Sequence, residues 1–128
     1  MATIALTQAN FDQVIANNTL VFVDFWAMWC GPCLAFAPIY EQVAQKFPDI
    51  LFAKVDIEAE PELAADFNIR SIPQLLVIKK KIVIFAEAGL LPATALIDLV
   101  EQGKAIDVSS LQSEICQQEK KDDGKINK

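Results

Sequence analysis

Apolar and polar positions change their period repeatedly along the chain. Phe11, Val14 and Ile15 fall on one face of a helix that Asn10 is placed to cap. Residues 20–25 form a β-branched and aromatic run, long enough for a central strand and too short for a helix. Beyond Cys33, apolar residues at Leu34, Phe36, Ile39, Val43, Ala44 and Phe47 suit a helix, with Pro38 forcing a kink within it. Residues 51–57 read as a second central strand. Pro61 suits the first turn of a short helix over 62–67, because proline there sacrifices no helical hydrogen bond. Two further strands, 75–78 and 82–86, are joined through Lys79, Lys80 and Lys81, and a last regular helix over 94–101 is stopped by Gly103. The order α, β, α, β, α, β, β, α predicts an α/β fold, a central mixed sheet flanked by helices on both faces.

A chain of 128 residues supports one core and not two, so residues 1–103 read as a single domain. Ser109 followed by Gln112 resembles a capping box, with Leu111 and Ile115 four apart behind it. The segment 104–118 is therefore expected to form a short C-terminal helical extension. Residues 119–128 carry four Lys and three acids around a single large apolar residue, Ile126, and read as a flexible tail.

Charge and composition narrow the chemistry. Seventeen acids against eleven bases give a net charge of −6, which argues against nucleic acid or an anionic membrane as the main partner. The longest apolar stretch, 20–30, is interrupted by Asp24 and falls short of the roughly 18 residues a bilayer crossing needs. The first ten residues lack a basic start, so the chain reads as cytoplasmic or already processed, and a cytoplasmic location is expected. There is no His anywhere, which excludes Ser-His and Cys-His catalytic pairs and His-ligated metals.

Cys30-Gly31-Pro32-Cys33 follows the first central strand closely and opens a helix. Haem attachment would need a His after the second Cys, where Leu34 stands, and three thiols alone cannot complete a four-thiolate zinc site. A zinc site completed by a carboxylate or by another chain remains as an alternative; the expectation is that no metal is bound. A redox pair uses the placement directly. The positive end of the helix stabilises a Cys30 thiolate, and Cys33, one turn along, can attack the mixed disulfide that Cys30 forms. Pro32 pre-sets a helical φ, and Gly31 removes side-chain bulk beside the attacking sulfur.

The stretch Val23-Asp-Phe-Trp-Ala-Met-Trp-Cys-Gly-Pro-Cys33 closely resembles the active-site segment of the thioredoxin family, and Ile69-Arg-Ser-Ile-Pro73 resembles its second signature. The resemblance covers about residues 3–102 and implies a thioredoxin-like fold. It implies that Asp24 is a buried carboxylate serving as proton acceptor for Cys33, with Lys54 beside it. A carboxyl inside an apolar run should have a raised pKa, the property a general base near neutral pH requires. By the same resemblance Trp26 and Trp29 flank the site, Trp26 with a packing role and Trp29 as a partner contact. Pro73 matches a cis proline facing the disulfide, Ile72 offers its backbone to an extended substrate chain, and Gly89 keeps the groove open. Pro38 belongs to the structural surroundings.

Departures from the family pattern are Leu34 in place of the common Lys, Ser71 and Gln74 beside Ile72-Pro73, and Lys80-Lys81 where the hairpin turn often carries Asn-Gly. Because Lys tolerates positive φ poorly, a different turn type is expected there. The implied activity is reduction of protein disulfides by dithiol-disulfide exchange. The Cys30–Cys33 disulfide serves as the redox group without a further cofactor, and electrons come from a flavin-dependent thioredoxin reductase. Partners are that reductase and disulfide-containing clients, and the chain is expected to be a monomer. The alternative is a protein-interaction or chaperone module with secondary redox activity. Cys116 is left over, a helix-face thiol with no assigned chemistry or a site of regulatory oxidation or disulfide-linked dimerisation.

Overall fold

The computed structural model describes residues 2–108. Within them the chain runs β1 (Thr3–Ala5), α1 (Phe11–Asn17), β2 (Leu20–Trp26), α2 (Gly31–Lys46), β3 (Leu51–Asp56), α3 (Pro61–Asp66), β4 (Gln74–Lys79), β5 (Ile82–Ala88) and α4 (Ala93–Ala105). The strands form one mixed sheet in the order β1-β3-β2-β4-β5. β3 pairs in parallel with both β1 and β2, whereas β4 runs antiparallel to β2 and β5. This is the predicted α/β architecture, with β2 at its centre and buried along nearly its whole length. Residues 109–118 of the expected extension over 104–118, the tail and Cys116 lie outside the described residues.

Alternation along the strands divides the core into two layers. Leu20, Phe22, Phe52, Leu75 and Val77 pack against Phe36, Tyr40 and Val43 of α2 and Leu96 and Val100 of α4. Val21, Val23, Phe25, Ala53, Val55 and Leu76 face the other way, onto Ile15 of α1 and Leu63 of α3. Asp24 has the parity of Leu20 and Phe22, which sets it in the α2 and α4 layer.

Four local expectations need correction. A first strand, β1, precedes the predicted elements; it is only three residues long and too short to show a period. Asn10 stands at the N-cap of α1 but in a helical conformation, without a side-chain cap. Its Oδ1 instead accepts the Thr7 N–H at 2.8 Å, closing the turn before the helix. Gly103 does not stop α4, which continues to Ala105. Gly103 is buried, and a Cβ there would stand in ordinary contact, 3.4 Å from Leu20 Cδ1 and 3.7 Å from Val77 Cγ1, so the residue lies on the face of α4 turned to the sheet. Finally, the β4–β5 hairpin closes on Lys80-Lys81 with positive φ, in place of the different turn type expected of lysine. Lys79 pairs with Ile82, and Lys80 and Lys81 adopt φ of 50° and 71°. Two consecutive left-handed residues give the turn whose twist matches the flanking strands, and that tertiary demand outweighs the preference of lysine.

Two connections bring the chain back to the end of β2. After α3, Asn68 turns left-handed with φ 54°, the Ile69 N–H bonds to Ala64 O at 3.1 Å and the Asn68 N–H to Ala65 O at 2.9 Å. This paired closure of a helix C-terminus directs the chain toward residues 70–73. Lys79 extends its ammonium from the end of β4 onto the Gly103, Lys104 and Ile106 carbonyls, tying the C-terminus of α4 to the sheet. No helix among the described residues is long and apolar enough to cross a membrane.

Candidate active site

The site is assembled at the C-terminal end of β2. Its chain leaves the sheet at Trp26 and makes a tight turn, with the Cys30 N–H donating to Ala27 O at 3.2 Å. Cys30 then caps α2, its Sγ accepting the Cys33 N–H at 3.2 Å. Gly31 and Pro32 occupy the opening positions of the helix, where proline costs no hydrogen bond. Cys30 and Cys33 are joined in a disulfide and are nearly buried. Ala27 closes around them, with Trp26, Ile57 and Ile72 packed against the group. A Cβ at Gly31 would meet nothing within 4 Å, so Gly31 borders open space.

β4 begins where this turn ends. Phe25 pairs with Gln74, so Pro73, one residue earlier, comes opposite the end of β2. The Ile72–Pro73 peptide is cis and Pro73 is buried. Gly89, with φ 96°, donates its N–H to Pro73 O at 2.8 Å, bringing the β5–α4 connection to the same edge. A Cβ at Gly89 would also point into open space, yet its φ is one that L-residues rarely adopt. Trp29 is exposed. Pro38 lies inside α2 on its exposed side and is not gathered into the site.

Asp24 is the one charged side chain in the core of the described residues, and it is fully buried. Both carboxylate oxygens lack a hydrogen-bond partner there. Burial pushes its pKa from an ordinary 3.8 up to about 7, against a smaller downward pull from the charge of Lys54. Lys54 is the register partner of Asp24 on β3, and its Nζ sits 4.8 Å from the Trp26 ring. Trp26, Lys54 and Asp56 also line a cavity of about 360 Å3 against β1.

On α2, Cys33, Phe36 and Tyr40 are spaced three and four apart and share its buried face, turned toward the layer that holds Asp24. Tyr40 was not singled out from sequence. Its hydroxyl donates to Ala53 O at 2.8 Å, and its pKa is raised well above 10 by burial and by the neighbouring Asp24 charge. Helical spacing from Cys33 could have pointed to it.

Among the described residues no group of three or more His, Cys, Asp or Glu is placed to hold a metal ion. A disulfide opening a helix beside a cis-proline loop, with an unpartnered carboxyl in the layer beneath, defines a dithiol-disulfide exchange site. The thioredoxin family model matches residues 2–102, and the chain belongs to that family. A Streptomyces coelicolor protein provisionally named thioredoxin 2 is 44% identical over 118 residues, covering 92% of this chain and 88% of that protein. The thioredoxin of Alicyclobacillus acidocaldarius is 46% identical over 79 residues, 61% of this chain and 75% of its own. A solved Plasmodium falciparum thioredoxin superposes with a TM-score of 0.72 at 38% identity, covering 78% of this chain and 97% of the other. The protein is a thiol-disulfide oxidoreductase whose redox group is its own active-site disulfide.

Proposed function

We propose that this oxidoreductase works as a reductant of protein disulfides, with Cys30 attacking and Cys33 resolving. Support for this reading comes from one arrangement: the Cys30–Cys33 pair opens α2 while the unpartnered Asp24 lies in the layer that the buried face of α2 covers. In the reduced protein the Cys33 N–H and the positive end of α2 stabilise a Cys30 thiolate. That thiolate bonds to one client sulfur as the client disulfide breaks, and the departing thiolate takes a proton from solvent. The Cys33 thiol then passes its proton to the Asp24 carboxylate and attacks the Cys30 sulfur. That attack breaks the Cys30–client bond, the second client sulfur leaves as a thiolate that takes a proton from solvent, and the client departs with both sulfurs reduced by two electrons while the chain is left as the disulfide.

An acceptor with a pKa of about 7 takes and releases a proton readily near neutral pH. Lys54 favours its ionised form. Trp29, Gly31, Pro32, Ile72, Pro73 and Gly89 form the client-facing surface, where the Ile72 backbone pairs with an extended client strand. Trp26 and Pro38 support the surrounding packing. The two electrons are restored by a flavin-dependent thioredoxin reductase, and the protein acts as a cytoplasmic monomer on disulfide-containing clients. The domain spans 1–103 together with the last turn of α4, which runs to Ala105; the rest of 104–118 is the extension and 119–128 the tail.

An insulin-reduction assay driven by purified thioredoxin reductase tests this reading. Turnover by wild type and none by Cys30→Ser is expected. Absence of turnover in the wild type would leave the interaction-module alternative in its place.

A further inference from the structure

Six large apolar side chains are exposed among the described residues: Ile4, Met28, Trp29, Leu34, Val83 and Leu90. Ile4 and Val83 sit on the two edge strands. The other four all belong to the segments that frame the Cys30–Cys33 disulfide. Backbone geometry places them there. Ala27 and Cys30 anchor the turn through a 3.2 Å hydrogen bond and are buried, so its corner residues Met28 and Trp29 are turned out, 69% and 67% exposed. Leu34 follows Cys33 in the first turn of α2, bonded through its N–H to Cys30 O at 3.1 Å, and is 48% exposed. Leu90 follows Gly89, which is bonded to Pro73, and is 49% exposed.

The same segments carry no charge. Residues 25–40, 71–78 and 88–97 contain no Asp, Glu, Lys or Arg, in a chain whose net charge is −6. A client segment crossing these three segments covers apolar side chains and meets no charge from them; charges enter at the borders, at Asp56 and Glu58 on either side of Ile57 and at Arg70 and Glu87. Apolar residues beside the client cysteine gain by that burial, whereas charged ones lose hydration that these segments do not replace. We infer that Met28 and Leu34, on either side of the disulfide, are specificity-determining residues that select extended polypeptide clients with large aliphatic side chains next to the attacked cysteine. The inference rests on the protein-disulfide reductase reading and names its substrate class.

Two peptides test it, each closed by one intramolecular disulfide, equal in length and of zero net charge. One carries Leu and Val beside the cysteines, the other Glu and Lys. The second-order rate of single-turnover oxidation is measured for the fully reduced 128-residue protein with each peptide. Wild type should react at least about tenfold faster with the aliphatic peptide, the scale on which apolar contacts discriminate substrates. In Met28→Gln/Leu34→Gln the ratio should fall to within about threefold of one, by the same scale. Taking the ratio on a single variant cancels any change in the thiolate itself. A wild-type ratio near one, or a ratio that persists in the double variant, overturns the assignment while leaving the reductase reading intact. If neither peptide oxidises the reduced protein although 5,5′-dithiobis(2-nitrobenzoic acid) does, the reading of peptide disulfides as substrates fails, and the inference with it.

Discussion

Asp24 and Lys54 are register partners on the adjacent parallel strands β2 and β3, and they meet opposite fates. The carboxyl is fully buried with no hydrogen bond among the described residues, while the ammonium lies 4.8 Å from the Trp26 ring. Lys54 therefore acts on Asp24 through its field rather than through a hydrogen-bonded ion pair, and desolvation dominates. A carboxyl held in this way is costly to ionise, and that cost is measurable in two ways.

The first is stability. Folding raises the Asp24 pKa from 3.8 to about 7, so the folded state holds this proton more tightly than the unfolded chain. The contribution is fully present below about pH 4 and is lost as pH rises through about 7. Some three pH units at about 1.4 kcal/mol each give a loss on the order of 4 kcal/mol. Urea unfolding of wild type and Asp24→Asn across pH 4 to 8 should show the variant gaining on wild type by that order. A difference that stays constant over this range would mean that Asp24 is not held protonated by the fold.

The second is kinetics. If Asp24 takes the Cys33 proton, Asp24→Asn should slow resolution of a client mixed disulfide by on the order of 10²-fold at pH 7 while changing the initial attack by less than about threefold. In wild type the resolving step should accelerate as pH rises through about 7, following ionisation of the acceptor, and this dependence should vanish in the variant. Rapid-quench trapping of the mixed disulfide separates the two steps. Equal slowing of both would remove the proton-acceptor role.

Gly103 offers a test of packing. It lies inside α4, and a Cβ would stand in ordinary contact with Leu20 and Val77, 3.4 to 3.7 Å away. Gly103→Ala should therefore recover the usual glycine penalty in a helix, raising stability by about 0.5 to 1 kcal/mol. Gly103→Leu overfills the same gap and should cost about 1 to 3 kcal/mol. Thermal melts of both variants decide the point; a destabilising alanine would show that the helix cannot sit any farther from the sheet.

Much of the site could be read from the sequence because its signals are local. A charged residue inside the run 20–30, and two cysteines one helical turn apart, stand out without any knowledge of the fold. What escaped depends on contacts between distant residues. Tyr40 matters because its hydroxyl reaches Ala53 on β3; helical spacing from Cys33 marks the face it occupies, not that contact. β1 is defined by pairing with β3 rather than by any pattern of its own. Glycine near a helix end suggests a stop, but at Gly103 the helix continues to Ala105 with that face against Leu20 and Val77, residues far away in sequence.

The hairpin shows tertiary structure overriding a residue's preference, and it supplies the last prediction. The Lys80 N–H donates to Thr19 O at 2.8 Å, which fastens the loop to the start of β2 while both lysines hold positive φ. For a residue with a Cβ the left-handed region costs roughly 1 to 2 kcal/mol, and glycine escapes that cost. Lys81→Gly keeps the Lys80 bond and relieves φ of 71°, but it also removes a positive charge from an acidic chain. Lys81→Gln removes the same charge and keeps the Cβ. The glycine variant should therefore unfold at higher urea than the glutamine variant, with a gap of about 1 kcal/mol after the added entropy of glycine in the unfolded chain is subtracted. Lys81→Val should fall below both, because a branched Cβ tolerates this conformation least. If glycine and glutamine prove equally stable, the turn is not strained at this position, and the twist of the flanking strands is satisfied at no cost to lysine.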